Sequence, residues 1–175
     1  MSKAVSERVL EGVLYGGIIL GNRGGSRFDE TVGANGRIAR IRWHEFNFME
    51  AFSFDEIPKI GGSTTKRHHW GGDGGNKFIF PGDPKDVLLD STYINGIYVQ
   101  WDSVVDFMKL YIWNRATSEP YAVLRMGKEK PVVRDQKGEF YFNPKLGDKR
   151  EICGFAAYSG TYLDGIGVYV REHRP

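Results

Sequence analysis

Only one cysteine, Cys153, occurs in the 175 residues, so no disulfide closes within the chain. Ile152 and Phe155 flank it with apolar surface, which marks a buried thiol suited to a reducing compartment. Charge of one sign is scarce as well: 24 Lys and Arg against 22 Asp and Glu leave +2. That balance speaks against a nucleic-acid binder or an anionic-membrane binder. No stretch reaches the roughly 18 apolar residues of a membrane span. Residues 1–11, with Glu7 and Glu11, lack the apolar run of a signal peptide. The expectation is a cytoplasmic protein without membrane insertion, for which release would be non-classical. Helix signals are few; Ser6 caps at most a short turn through Leu10.

Glycine, in contrast, is abundant: 23 of 175 residues, about twice the ordinary share of roughly 7 per cent. It follows no every-third-residue period, which excludes collagen, and 14% aromatics exclude simple disorder. Each glycine weakens a helix by roughly 1 kcal/mol, which argues against a helical bundle. Two segments share the pattern G-x-x-G-G-x-x-F, Gly21 to Phe28 and Gly71 to Phe78, fifty residues apart. That period signals a repeated supersecondary unit. A third copy is expected near Gly138, Glu139 and Phe140, in eroded form.

Around these glycines the sequence alternates as strands do. Phe46, Phe48, Phe52 and Phe54 share one parity, Met108, Leu110 and Ile112 another, and Ile166, Val168 and Val170 a third run. Gly, Pro, Asn and Asp clusters punctuate them, the signature of an all-β sandwich, barrel or prism. Arg37, Arg40 and Arg42 read as a solvated strand face. Residues 1–11 form an N-terminal extension, and 12–175 form one domain with a charged insertion at about 125–150.

Catalytic chemistry finds little support. Neither glycine cluster supplies the Gly-Lys-Ser/Thr of a phosphate loop. His68 and His69 are neighbours on a strand and point to opposite faces, so they do not chelate one metal, and no metal or other cofactor is expected. Asp29, Glu50, Asp90, Asp102, Asp106 and Asp164 show no spacing that selects a hydrolytic pair. The most specific segment runs from Gly154 to Val170: a strand, a tight loop from Ser159 to Asp164, then a strand. It offers backbone amides, a carboxylate and an exposed aromatic within a few residues, groups that suit a sugar. A plain hairpin turn with a solvated aspartate is the other reading of that spacing.

Gly154-Phe155, the loop Ser159-Gly160-Thr161-Tyr162-Leu163-Asp164 and the following Gly165-Ile166-Gly167-Val168-Tyr169 resemble the final hairpin of jacalin-related lectins. Gly24-Gly25-Ser26-Arg27-Phe28-Asp29 resembles that family's first glycine loop, and Gly71-Gly72-Asp73-Gly74-Gly75 its second. The resemblance spans roughly Gly12 to Arg171 and implies a β-prism I fold: three four-stranded antiparallel sheets with pseudo-threefold symmetry. It also implies a non-catalytic, metal-independent sugar site. There Gly25 would donate its amide, Thr161, Tyr162 and Leu163 would offer theirs, Asp164 would accept from two hydroxyls, and Gly160 would permit the turn.

The resemblance further implies a second sugar site at Gly75 with Asn47, Phe48 and Glu50, where Phe46 and Glu50 replace the family's glycine and aspartate. The third sheet shows no matching pair. A chain that runs uncut through the first glycine loop resembles the mannose/glucose branch, so the expected partners are mannose-type glycans. Asn22 and Arg23 depart from the family's usual pattern. Single-site affinity for a monosaccharide is on the order of millimolar, which makes a homodimer or homotetramer the expected route to avidity. The rival readings are a β-prism interaction module with a decayed site and a carbohydrate-active hydrolase.

Overall fold

In the computed structural model the described residues are 13–58, 66–131 and 135–172. The N-terminal extension 1–11, with Ser6, lies outside them. The strands are β1 (Val13–Gly21), β2 (Ser26–Thr31), β3 (Arg37–Glu45), β4 (Met49–Ile57), β5 (Lys66–Gly71) and β6 (Asn76–Phe80). They continue with β7 (Thr92–Trp101), β8 (Val105–Asn114), β9 (Glu119–Gly127), β10 (Lys137–Tyr141), β11 (Arg150–Ser159) and β12 (Leu163–Glu172). Among the described residues the only helical element is a 3-10 turn, Pro144–Leu146, capped by the Asn143 side chain.

The strands form three four-stranded antiparallel sheets, ordered β1-β12-β11-β2, β5-β4-β3-β6 and β10-β7-β8-β9. Each has the same plan. A central hairpin (β11-β12, β3-β4 or β7-β8) is flanked by two outer strands that are themselves consecutive in sequence. The earlier outer strand always lies beside the hairpin's second strand. That recurring order is the pseudo-threefold symmetry of the expected β-prism.

Side chains explain why the sheets face one another. Phe52 and Phe54 of β4 and Trp70 of β5 point inward, and Phe155 of β11 inserts among them at ring-centroid distances of 4.8, 5.6 and 6.3 Å. Ile97, Val99, Met108, Leu110 and Ile112 supply the third wall, and all are buried. The period-2 runs of β4, β8 and β12 are therefore core-facing, as alternation requires. Phe46 and Phe48 break from the run: they sit in the loop between β3 and β4, and Phe46 is 65% exposed.

The charged segment 125–150 is not an insertion. It contains the end of β9 and all of β10, and β10 completes the third sheet by pairing with β7 from Lys137↔Gln100 to Tyr141↔Gly96. Of its charges, Lys137 and Glu139 lie on the exposed positions of this short outer strand, whose exposure alternates.

The arginine-rich strand β3 is also more than a solvated face. Arg40 is buried, donates to Asp55 at 2.7 Å, and caps the Asp86 carbonyl through Nε and Nη2. Arg42 and Arg67 reach the same carboxylate at 3.2 and 3.3 Å. Burial alone would push the Asp55 carboxyl up. Hydrogen bonds from Arg40, Arg42 and Arg67, with the charge of Arg42, outweigh it and hold the group below its ordinary value.

A depressed carboxyl stabilises the fold above its unfolded value of about 3.9 and loses that contribution as pH falls through the lower folded value. Asp55→Asn is therefore expected to cost about 3 kcal/mol at neutral pH by leaving Arg40 buried without its countercharge. Chemical denaturation at pH 7 and pH 3 checks this, with a smaller mutant-to-wild-type gap at the acidic pH.

Candidate functional site

At one end of the prism the three central hairpins turn, each through three residues. Ser159 pairs with Leu163, Glu45 with Met49, and Trp101 with Val105. The first amide of each loop donates to the third carbonyl: Gly160 to Tyr162 at 3.2 Å, Phe46 to Phe48 at 3.2 Å, and Asp102 to Val104 at 3.1 Å. One position beyond each turn stands an acid, Asp164, Glu50 or Asp106.

The outer strands meet the hairpins at these acids. Gly21, Gly71 and Gly127 take φ of 109°, 104° and 82°. A Cβ on them would lie 3.0, 2.3 and 2.3 Å from the carbonyl oxygens of Asp164, Glu50 and Asp106. The next amide in each case donates to that same carbonyl: Asn22 at 3.0 Å, Gly72 at 3.2 Å and Lys128 at 2.9 Å. Only glycine supplies both the left-handed backbone and the close approach.

The third repeat is thus displaced from its expected place. It runs from Gly127 to Asp135, whose φ of 69° matches Gly25 at 71° and Gly75 at 80°. Gly138 lies instead within β10, where a Cβ would meet the Leu20 side chain at 2.5 Å. A longer loop and a non-glycine residue in the left-handed position hide this copy from a glycine pattern. The surviving signal is Asp102-x-x-x-Asp106, parallel to Gly160-x-x-x-Asp164. The third sheet does carry the matching carboxylate.

The three acids have different surroundings. The Asp164 carboxylate has no hydrogen-bond partner among the described residues, and burial pushes it above the ordinary value. A Cβ on Gly24 would lie 3.5 Å from its carboxyl carbon, so the acid faces bare glycine backbone. Gly25 lies against the hairpin, where a Cβ would be 2.5 Å from the Ser159 carbonyl oxygen. Thr161 and Tyr162 are exposed, and their amides donate to no other group among the described residues. Leu163 is fully buried, so only its backbone is open to a role at the surface.

Gly160 does not serve the turn. It has no positive φ, and a Cβ there would meet nothing nearer than Gly25 Cα at 3.9 Å. Its lack of a side chain leaves open the gap between the two loops.

At the second acid, the longer Glu50 side chain folds beneath the second glycine loop. A Cβ on Gly74 or Gly75 would come within 2.9 or 2.0 Å of its oxygens, and Oε2 is buried without a partner. Neither phenylalanine fills that place: Phe46 projects into solvent, and Phe48 packs edge-on against Tyr162 at 4.8 Å. At the third acid, Lys130 Nζ sits on Asp106 at 2.7 Å while its amide donates to the Gln100 side chain at 3.1 Å.

The rim is continuous around the first site. A Cβ on Gly72 would touch the Thr161 carbonyl at 2.7 Å, and the Asn22 side-chain amide donates to the Asp102 carbonyl. The other candidate carboxylates are engaged. Asp29 binds Arg27 at 2.9 Å and accepts from the Tyr169 hydroxyl, and Asp90 binds Arg37 at 2.8 Å.

His68 is buried between Glu56 at 3.0 Å and Glu30 at 3.2 Å, whereas His69 is exposed. Among the described residues no group of three His, Cys, Asp or Glu is placed to hold a metal ion. The Cys153 thiol is buried beside the Tyr169 carbonyl, and burial pushes it up to about 12, far from a reactive thiolate.

The jacalin-like lectin domain matches residues 18–169 of this sequence. The chain belongs to that family. Its structure is similar to a banana lectin, with a TM-score of 0.68 at 18% identity over 91% of this chain and 99% of that one. It is also similar to Calystegia sepium agglutinin (0.66, 20%, 91% and 97%) and to a mannose-binding jacalin-related lectin from Ananas comosus (0.63, 14%, 93% and 100%). At these identities the likeness shows the fold alone. No curated protein matches the sequence. Family and fold together support carbohydrate binding and point to a non-enzymatic protein.

A carboxyl raised in the folded state favours its protonated form there, so ionised Asp164 carries a desolvation cost at pH 7. Asp164→Asn is expected to leave the thermal midpoint unchanged or higher. Gly25→Ala is expected to lower stability by about 1–3 kcal/mol through its left-handed backbone and the clash with Ser159. Thermal and urea melts of both variants at pH 7 check the pair.

Proposed function

We propose that the protein is a non-catalytic, metal-independent lectin that takes a mannose- or glucose-type residue between Gly25 and the hairpin loop of Gly160, Thr161, Tyr162, Leu163 and Asp164. The observation that carries this reading is the Asp164 carboxylate, partly desolvated, without a donor among the described residues, and facing glycine backbone. Two vicinal hydroxyls supply the donors it lacks, through charge-assisted hydrogen bonds. The unpartnered amides of Thr161 and Tyr162 donate to sugar oxygens, and the ring of Tyr162 shapes the rim. Mannose as the preferred class draws support from the mannose-binding lectins of Champedak and Ananas comosus among the structural neighbours. N-glycans draw support from Calystegia lectin complexes with bisected and biantennary glycans.

The second position, Gly75 with Asn47, Phe48 and Glu50, binds more weakly in this reading, because Glu50 must swing out from under Gly74 and Gly75 before it accepts from a ligand. The third is closed by the ion pair of Asp106 with Lys130. A homodimer or homotetramer brings single sites of millimolar strength to useful avidity.

A glycan array followed by calorimetry on the intact protein tests the proposal. Mannosides are expected to bind with a dissociation constant on the order of millimolar, unaffected by a chelator, and Asp164→Ala is expected to abolish the heat of binding. An array without any glycan signal, or mannoside binding that survives Asp164→Ala, sinks the proposal. Sustained hydrolysis of an oligosaccharide would replace it with an enzymatic one.

A further inference from the structure

The outer face of the second sheet carries a cavity of about 440 Å³ that neither Asp164 nor Glu50 lines. That volume suits a ligand of one or two sugar units. Arg42 and His44 of β3, Arg67 and His69 of β5, and Lys77 of β6 line it, with Asp73 of the second glycine loop at its edge. Strand pairing explains the convergence. Arg42 is opposite Ser53, which is opposite His69, and His44 is opposite Lys77, so four neighbouring strands present these groups on one face.

The charge of this face is unbalanced. Arg40, Arg42 and Arg67 share one carboxylate, Asp55, which is almost wholly buried beneath them. Asp55 accepts Nε and Nη2 of Arg42 but only Nε of Arg67, which is 55% exposed. Donors of both guanidinium groups are left over, since each carries five N–H bonds. Lys77 is exposed and forms no ion pair among the described residues. His44 lies beside Gly74 and Asp73, and its Nδ1 is buried without a hydrogen-bond partner. Burial first, then the nearby Lys77 and His69, hold His44 below its ordinary value, against the opposing pull of Asp73.

We propose that this cavity binds an anionic substituent of a glycan, a sulfate ester, through Arg42, Arg67 and Lys77. Planar guanidinium groups bind oxyanions through paired donors, and an ammonium adds a point charge. The anion site stands on the cavity and its cations. That the anion arrives on a glycan rests on the lectin reading, because Asp73 and the adjoining Gly74 and Gly75 make the cavity continuous with the second glycine loop. A sugar seated by that loop would extend its substituents onto this face.

Calorimetry of the intact protein with a sulfated tetrasaccharide, its desulfated counterpart, inorganic sulfate and a neutral mannoside tests the inference. The sulfated tetrasaccharide is expected to bind at least tenfold more tightly than its desulfated form, with affinity falling as salt rises. The double variant R67A/K77A is expected to lose that advantage while keeping neutral mannoside binding and a wild-type far-UV spectrum. Arg67→Lys, which keeps the charge but not the fork, is expected to lose part of it.

Equal affinity for the two tetrasaccharides, or a sulfate advantage that survives R67A/K77A, overturns the inference. Inorganic sulfate that binds as tightly as the tetrasaccharide overturns its glycan part. Should the mannoside fail to bind while the sulfated tetrasaccharide still does so through Arg67 and Lys77, the Asp164 site fails and the anion site stands.

Discussion

Where each early outer strand ends, its glycine backbone lies against the carbonyl of the acid that follows a hairpin turn. Gly21 meets Asp164, Gly71 meets Glu50, and Gly127 meets Asp106. A side chain at any of these positions would push the outer strand off the hairpin. The next amide could no longer reach the carbonyl, and the loop that follows would lose its seat. The rest of the binding end depends on this contact, which seats each outer strand against a hairpin that carries a carboxylate. Sheet packing supplies the rigidity behind it, through Phe155 wedged among Phe52, Phe54 and Trp70.

Three corners with one backbone have acquired three side-chain states. Asp164 is short enough to leave space above Gly24 and Gly25, so its oxygens stay available. Glu50 is one methylene longer, and that length carries it beneath the equivalent glycines. Asp106 is the right length, but the loop beside it is extended and delivers Lys130 onto its carboxylate. Threefold geometry therefore provides positions, while single residues decide which of them remain open.

Much of the fold was legible in the sequence, because its signals are local. Alternation in β4, β8 and β12 reports which residues face the core, and the paired glycine motifs report a repeat. The first corner was legible for the same reason, since Gly160 to Asp164 forms one contiguous hairpin loop. What remained hidden depended on distant partners. Asp106 has no meaning in sequence until β9 brings Gly127 and Lys130 to it. Strand β10 read as a charged insertion because a short outer strand shows one polar face and little apolar pattern. Arg40 read as solvated because its burial comes from the Asp86 segment crossing over it. Gly160 was assigned to a turn that its backbone does not require, an error only φ could expose.

The first sheet joins strands far apart in sequence: Val13 pairs with Arg171 and Gly21 with Gly165. The other two sheets are each built from consecutive strands. On a growing polypeptide those two can pair as they emerge, whereas the sheet bearing Asp164 waits for β11 and β12 to reach β1 and β2. Loss of β12 removes the partner of both β1 and β11. The sheet would then be left with two unpaired edges facing the interior. The corner with the open carboxylate thus depends on pairing that spans nearly the whole domain, and local folding alone does not make it.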